Sequence, residues 1–201
     1  MSKVLVTESY LTDIGDAIRN KNGSADKYKP SEMAGAISDL TAQDNTVLNS
    51  ILDHSISGDY VNDDLTEIGR YAFYGCEQLT SATFTKVTKV GTSAFGDCRS
   101  LESISLPEVK EINSDAFDAC ALKSISMPKV EKLGADNDLW GIFDYCPITT
   151  INIPSTIKSI GKNTFERTSK LTTITIDRKA DAISGSPWGA TAATVNWTGT
   201  T

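Results

Sequence analysis

The sequence predicts an α/β repeat solenoid of about five coils, each of roughly 22 residues, with columns of β-strands joined by short helical turns, preceded by a small helical hairpin. Three observations predict it. Four cysteines, Cys76, Cys98, Cys120 and Cys146, each stand three residues after a phenylalanine, Phe73, Phe95, Phe117 and Phe143. Their spacings are 22, 22 and 26 residues, so the fourth coil carries a four-residue insertion, and a fifth coil keeps Phe165 with Thr168 in the cysteine's place. Apolar residues two apart recur between these runs: Ala82 and Phe84, Ile104 and Leu106, Ile125 and Met127, Ile151 and Ile153, Ile174 and Ile176.

A spacing of two turns both side chains to one face of a strand, so each pair marks the first strand of a coil. Pro107, Pro128 and Pro154 follow three of these strands directly, and a residue without an N–H ends a ladder. A shorter second strand is expected at Val87 and Val90, Val109 and Ile112, Val130 and Leu133, and Ile157 and Ile160. The column Gly69, Gly91, Asn113, Gly134 and Gly161 then reads as a recurrent corner with positive φ. After it, Tyr71-Ala72-Phe73, Ser93-Ala94-Phe95 and Asp115-Ala116-Phe117 suit a helical or 3₁₀ turn that packs Phe and Cys inward. Equal spacing places the cysteines in one column with parallel side chains, a geometry that suits buried thiols better than the dihedral of a disulfide. A zinc site does not fit that spacing.

Both ends read as caps. Leu52 to Ile56 and Leu65 to Gly69 form a degenerate first coil, and Trp188 and Trp197 are placed to cover the last. Terminal repeats are atypical because one face must meet water. Residues 1–45 fall outside the repeat. Leu11, Ile14 and Ile18, then Met33, Ile37 and Leu40, form two helical stripes broken at Asn22-Gly23-Ser24, with Pro30 as a start signal. So short a hairpin buries little by itself, and its stripe is an expected attachment or self-association surface, a trimer being one form. The expected division is therefore 1–45 for the hairpin and 46–201 for the repeats.

Nineteen basic and 26 acidic residues give a net charge of −7. With no run of Lys and Arg, the electrostatic footprint of a nucleic-acid or anionic-membrane binder is missing. No apolar run reaches membrane-spanning length, and the N-terminus lacks the charged leader and apolar stretch of an export signal. His54 has no Ser or Cys with Asp arranged around it, and no phosphate loop or H-E-x-x-H occurs. The chain is read as a non-enzyme with no cofactor.

The Ala-Phe-x-x-Cys, Leu-x-x-Ile-x-Leu-Pro and Val-x-x-Ile-Gly runs resemble the BspA-like leucine-rich repeats of bacterial surface proteins and many phage proteins, over about residues 48–201. The resemblance implies a binding role and no enzymatic activity. The run from Leu11 to Ile37 is similar to a segment common in tail or minor structural proteins of phages and prophages of Gram-positive bacteria, where it precedes fibre, lectin-like or repeat modules. Lys29 stands where that segment has Thr. Pro187-Trp188-Gly189-Ala190-Thr191 is similar to endings of repeat proteins of the same kind.

Together the two resemblances imply a virion component of the tail, baseplate or fibre. Other tail proteins and a host-envelope glycan or protein are its expected partners. The alternatives are a cell-surface adhesin of the BspA-like class and a structural decoration protein with no host ligand.

Two surfaces are candidates for contact. The first-strand residues between the apolar anchors point outward in two columns, Ser81, Ser103, Ser124, Thr150 and Thr173, then Thr83, Ser105, Ser126, Asn152 and Thr175. This sheet of small hydroxyls reads either as an exposed β-face satisfied along its own ladder or as a shallow polar platform for saccharide or protein. The second is the insertion from Ala135 to Gly141, where Asp136, Asp138 and Trp140 cluster without the later Glu of a calcium loop. It reads as a tolerated surface loop or a ligand site, with Trp140 the residue expected to carry contact energy.

Overall fold

The computed structural model describes residues 54–180 and 182–199, all within a compact unit spanning His54–Thr201. The hairpin, its six-residue stripe and the linker lie outside the described residues. Six coils begin with a first strand: β1 Gly58–Val61, then β3 Leu79–Thr83, β5 Ser103–Ser105, β8 Thr150–Ile153, β10 Thr173–Ile176 and β11 Thr194–Trp197. A two-residue second strand follows in five coils: β2 Glu67–Ile68, β4 Lys89–Val90, β6 Glu111–Ile112, β7 Lys132–Leu133 and β9 Ser159–Ile160. All pairings are parallel and join equivalent positions of successive coils. The second strands form one unbroken five-stranded sheet, in the order β2-β4-β6-β7-β9.

The third wall is the Ala-Phe-x-x-Cys segment, and here the expected helical turns do not form. No helix occurs among the described residues, so this unit is a β-solenoid. The N–H of Phe73 donates to Ala94 of the next coil at 2.7 Å, Phe95 to Ala116 at 2.8 Å and Phe117 to Ile142 at 2.9 Å. A backbone that spends its donors on the neighbouring coil cannot spend them within a helix, so tertiary pairing overrides the local preference of Ala and Phe.

The corner of positive φ also lies elsewhere than the glycine column suggested. Of Gly69, Gly91, Asn113, Gly134 and Gly161, only Gly134 has positive φ, at 62°. Left-handed residues recur at two other positions: two before the Phe in three coils, at Tyr71, Ser93 and Asp115, and directly before each cysteine or Thr168, at Gly75, Asp97, Ala119, Tyr145 and Arg167. Two of the glycines answer to crowding instead. A Cβ on Gly91 would lie 2.7 Å from the backbone of Gly69 and Arg70, and one on Gly161 would lie 2.6 Å from the Ala135 carbonyl oxygen.

The core is a file of like residues. Phe73, Phe95, Phe117, Phe143 and Phe165 stack with centroids 4.9, 5.5, 5.8 and 6.0 Å apart and planes within 13° of parallel. Beside them the four cysteines are buried and unbridged. The Cys98 thiol donates to the Phe73 carbonyl at 2.9 Å, Cys120 to Phe95 at 3.1 Å and Cys146 to Phe117 at 3.0 Å. In the fifth coil Thr168 Oγ1 makes the same bond to Phe143 at 3.2 Å, which explains why a hydroxyl can replace the thiol: the position needs a small donor. Burial pushes the Cys146 thiol up to about 12 and raises Cys120 well above the ordinary thiol range.

The coil ends are closed by aromatic residues. Tyr60 of β1 packs against Phe73 and Phe84, at 5.2 and 5.8 Å. At the other end Trp188 is fully buried, its indole N–H donating to Ser184 at 2.7 Å, with Trp197 6.2 Å away. The Trp188 carbonyl accepts from Phe165 N–H at 2.9 Å, taking the place that Ala94, Ala116 and Ile142 hold in earlier coils.

Charged side chains pair between coils. The acid comes from the earlier coil and the base from the next in Asp64–Lys86, Glu77–Arg99, Glu102–Lys123, Glu108–Lys129, Glu111–Lys132 and Glu131–Lys158, and the order is reversed in Lys89–Glu111. Each exposed pair is worth at most about 1 kcal/mol.

Three substitutions test this packing. Phe117→Ala, removing a ring from the middle of the file, should cost about 3–5 kcal/mol in urea unfolding. Gly91→Ala should destabilise by about 1–3 kcal/mol because backbone must move. Gly69→Ala, with nothing within 4 Å of the added carbon, should stay within about 0.5 kcal/mol. Equal effects at both glycines would remove the crowding explanation.

Candidate functional site

The first-strand wall does not form the continuous platform that its sequence columns suggest. It is two three-stranded sheets, β1-β3-β5 and β8-β10-β11. Coil three contributes only an isolated bridge from Ser126 to Ser105, and Ile125 is half-buried where its counterparts are buried. The break falls between the two coils separated by the insertion. Coil four has the same short spacing from Cys146 to Ile148 that coil three has from Cys120 to Leu122, yet β8 forms because β10 pairs along its other side. At the break lies a shallow depression of about 300 Å³ between Ser126 to Pro128 and Asn152 to Pro154, with Asp177 its one charged lining residue.

The hydroxyl columns do face outward. Ser103, Ser105, Ser124, Ser126, Thr150 and Asn152 are exposed, and Ser81, Thr83, Thr173 and Thr175 are half-buried. The columns extend one coil further at each end, to Asp59 and Val61 in β1 and to Thr194 and Asn196 in β11. Asp59 accepts from Ser81 Oγ at 2.6 Å and from Thr80 at 3.3 Å.

The insertion is anchored rather than loose. Asp138 accepts from the Ala135 N–H at 2.7 Å, Asn163 Nδ2 donates to the Asp138 carbonyl at 2.8 Å, and Ser114 Oγ donates to the Trp140 carbonyl at 3.1 Å. Asp138 is thus a structural residue of the loop, and Asp136 is exposed. The two are not brought together as ligands, and no group of His, Cys, Asp or Glu suited to a metal ion occurs among the described residues.

Trp140 is where the structure gathers other residues. Its ring is 46% exposed and carries the Arg167 guanidinium at 4.3 Å. It borders a groove of about 350 Å³ on the turn wall that runs past Asp144, Asp118, Asp115 and Tyr145 to Tyr74 and Tyr71. Every one of these side chains comes from the segment between the glycine column and the cysteine. Tyr145 is the most exposed of the aromatics at 67%. At the far end Tyr74 donates to Asp97 at 2.8 Å, which with burial pushes its phenol up to about 12. The Arg70 guanidinium lies 4.7 Å from the Tyr71 ring.

Sequence reasoning found Trp140 but missed the rest, because it assigned the whole Ala-Phe-x-x-Cys run to the core. The signal was the filling of the two variable positions: Gly96-Asp97, Asp118-Ala119, Asp144-Tyr145 and Glu166-Arg167 carry an acid in four successive coils.

The electrostatics of the groove are unfavourable to its own carboxylates. Asp144 is 1% exposed, its Oδ1 lacks a partner of hydrogen-bonding geometry, and its Oδ2 lies 3.5 Å from Arg167. Burial raises it to about 6, with the charges of Asp118 and Asp115 adding to the shift and the Gly141 N–H and Arg167 opposing it. Burial also raises Asp115 and Asp118, and Asp118 Oδ1 is likewise buried without a partner. Acids that cost stability where they stand mark functional sites more often than structural ones.

The solenoid has solved counterparts. A family model described as the BspA type leucine rich repeat region matches residues 55–137 and 140–189 in six copies. The crystal structure of the T. pallidum leucine rich repeat protein TpLRR is similar at 28% identity and a TM-score of 0.52, over 58% of this chain and 57% of that one. A leucine-rich repeat protein from Eubacterium ventriosum ATCC 27560 is similar at 25% identity and a TM-score of 0.57, over 72% of this chain and 37% of the other. The chain thus spans less than two thirds of either protein. No curated protein matches it.

The raised Asp144 gives a signed prediction. The folded chain takes up this proton more readily than the unfolded chain between the ordinary carboxylate range and pH 6. Stability from this group is therefore greatest at low pH and is lost as pH rises through about 6. Asp144→Asn should raise unfolding free energy at pH 7.5 by about 1–3 kcal/mol and leave it unchanged near pH 4. A variant less stable than the parent at pH 7.5 would contradict the assignment.

Proposed function

The chain belongs to the BspA-type leucine-rich repeat family, and from that membership we propose that it is a non-enzymatic binding protein of the bacterial cell surface that meets its partner through the turn wall. The observation that carries the binding role is the groove at Trp140. Elsewhere the repeating polar residues largely satisfy one another between coils, as in Glu108–Lys129 and Glu111–Lys132. In the groove, exposed aromatics stand beside Asp118 and Asp144, each with one buried carboxylate oxygen that no group of the chain meets in hydrogen-bonding geometry. Large aromatics next to desolvated polar groups are where interface energy concentrates, and the anchored loop holds Trp140 in place beforehand. The surface location follows the occurrence of this repeat class in bacterial surface proteins.

A second reading, a tail or baseplate component of a phage or prophage, is favoured by the run from Leu11 to Ile37 and its likeness to phage structural proteins. In that reading the hairpin stripe attaches the repeats to the particle, in single copy or as a trimer. The two readings share the binding role of the repeats and differ in where the chain is displayed.

Immunogold labelling with an antibody to residues 54–199, on cells and on induced particles of the source strain, separates them. Label on the cell envelope is the expected result; label confined to particle tails would replace it with the virion reading. On whichever surface retains the fluorescent chain, Trp140→Ala and Tyr145→Ala should each lower retention about tenfold or more. Ser124→Lys on the strand wall should leave it unchanged. The reverse pattern would move the contact surface to the hydroxyl columns.

A further inference from the structure

We propose that the turn-wall groove recognises a guanidinium or primary ammonium group, presented as an arginine or lysine side chain on a protein partner. The inference rests on the binding-protein reading and deepens it by naming the chemistry of the ligand. Asp115, Asp118 and Asp144 line the groove against a single lining cation, Arg167. Arg167 is already committed to the Trp140 face and to Asp144 Oδ2. That leaves the middle of the groove negative.

The buried Asp144 supplies an observation independent of charge. Its Oδ1, and that of Asp118, are acceptors withdrawn from water; the backbone donors beside these carboxylates, the N–H groups of Gly141 and Ala119, do not reach hydrogen-bonding geometry with the two buried oxygens. Both belong to residues that line a groove open to solvent. A ligand carrying several N–H donors meets that need, and guanidinium carries five in a fixed plane.

The aromatic walls select the same chemistry. At one end the chain lays its own Arg167 on Trp140, and at the other its own Arg70 on Tyr71. Both ends of the groove therefore accept a planar cation on a ring, the geometry of cation–π attraction. Between them Tyr74 lies close over Gly96, whose added Cβ would sit 2.9 Å from the ring. A metal ion is a poorer occupant, since no group of donors suited to one occurs among the described residues. A neutral saccharide would leave the carboxylates uncompensated. The volume, about 350 Å³, matches the lower range of small-ligand sites and suits one extended side chain.

The test follows the indole N–H of Trp140 in the ¹⁵N spectrum of the full chain at pH 7, assigned by its loss in Trp140→Phe. The probes are acetyl-Gly-Arg-Gly-Arg-Gly-amide, the same peptide with Glu for Arg, spermidine and chitotriose. A saturable shift with the arginine peptide is expected, absent with the glutamate peptide and weakening as salt is added. Asp118→Asn and Asp144→Asn should each weaken it at least tenfold, and Glu102→Gln, on the strand side, should not. A response to spermidine tighter than to the peptide would keep the cation and overturn the protein source. No shift with either cation, a shift unchanged in both Asn variants, or a response to chitotriose alone would overturn the proposal. Envelope labelling together with a flat titration would remove the ligand class and leave the binding-protein reading standing.

Discussion

Every feature of this unit depends on the backbone hydrogen bonds that run from one coil to the next. They fix the separation of equivalent residues near the ~4.8 Å of neighbouring strands, so a residue type chosen at one position is met by its counterpart at the same position one coil on. The phenylalanines respond by lying almost parallel, 4.9 to 6.0 Å apart. The thiols respond by donating to the carbonyl of the Phe one coil back. Gly91 and Gly161 exist because the neighbouring backbone passes within 2.7 Å of where their Cβ would be. The energetics are accordingly those of a chain of nearest neighbours rather than of one central core.

The same constraint shapes the candidate site. Stacking equivalent positions puts like charges over like unless the sequence alternates, and on the second-strand wall it does: Glu67, Lys89, Glu111 and Lys132 follow one another in register. On the turn wall it does not. Asp118 and Asp144 occupy the same position of adjacent coils, each directly after its Phe, and their mutual repulsion adds to the cost of burial. A fold that could place a cation at either position and instead repeats the acid keeps an electrostatic strain that folding has no use for.

The parts of this architecture written in strong residue preferences were legible in the sequence. Phe, Cys and the two-residue spacing of apolar anchors revealed the repeat, its length and the inner face of each strand. The left-handed corner was not legible, because Gly75, Asp97, Ala119, Tyr145 and Arg167 share a backbone conformation and no side-chain property. β1 was hidden in a polar Gly-Asp-Tyr-Val run whose strand character comes from pairing with β3. The helical expectation failed for a related reason: local propensity in Ala-Phe runs lost to donors already claimed by the next coil. Of the site, Trp140 stood out as a break in the pattern. Its neighbours kept the pattern and so were read as core.

The pairing of acid with base at equivalent positions of successive coils has a consequence for how such a chain can grow. Glu108 and Lys129 share one position, as do Glu111 and Lys132, and Glu131 and Lys158. A single coil copied in tandem would therefore set Lys129 against Lys129 and Glu131 against Glu131. Two coils copied together keep the alternation of Glu67, Lys89, Glu111 and Lys132, because the copy begins with the sign opposite to the one on which the original ends. On this wall the unit of lengthening that needs no compensating change of charge is the pair of coils.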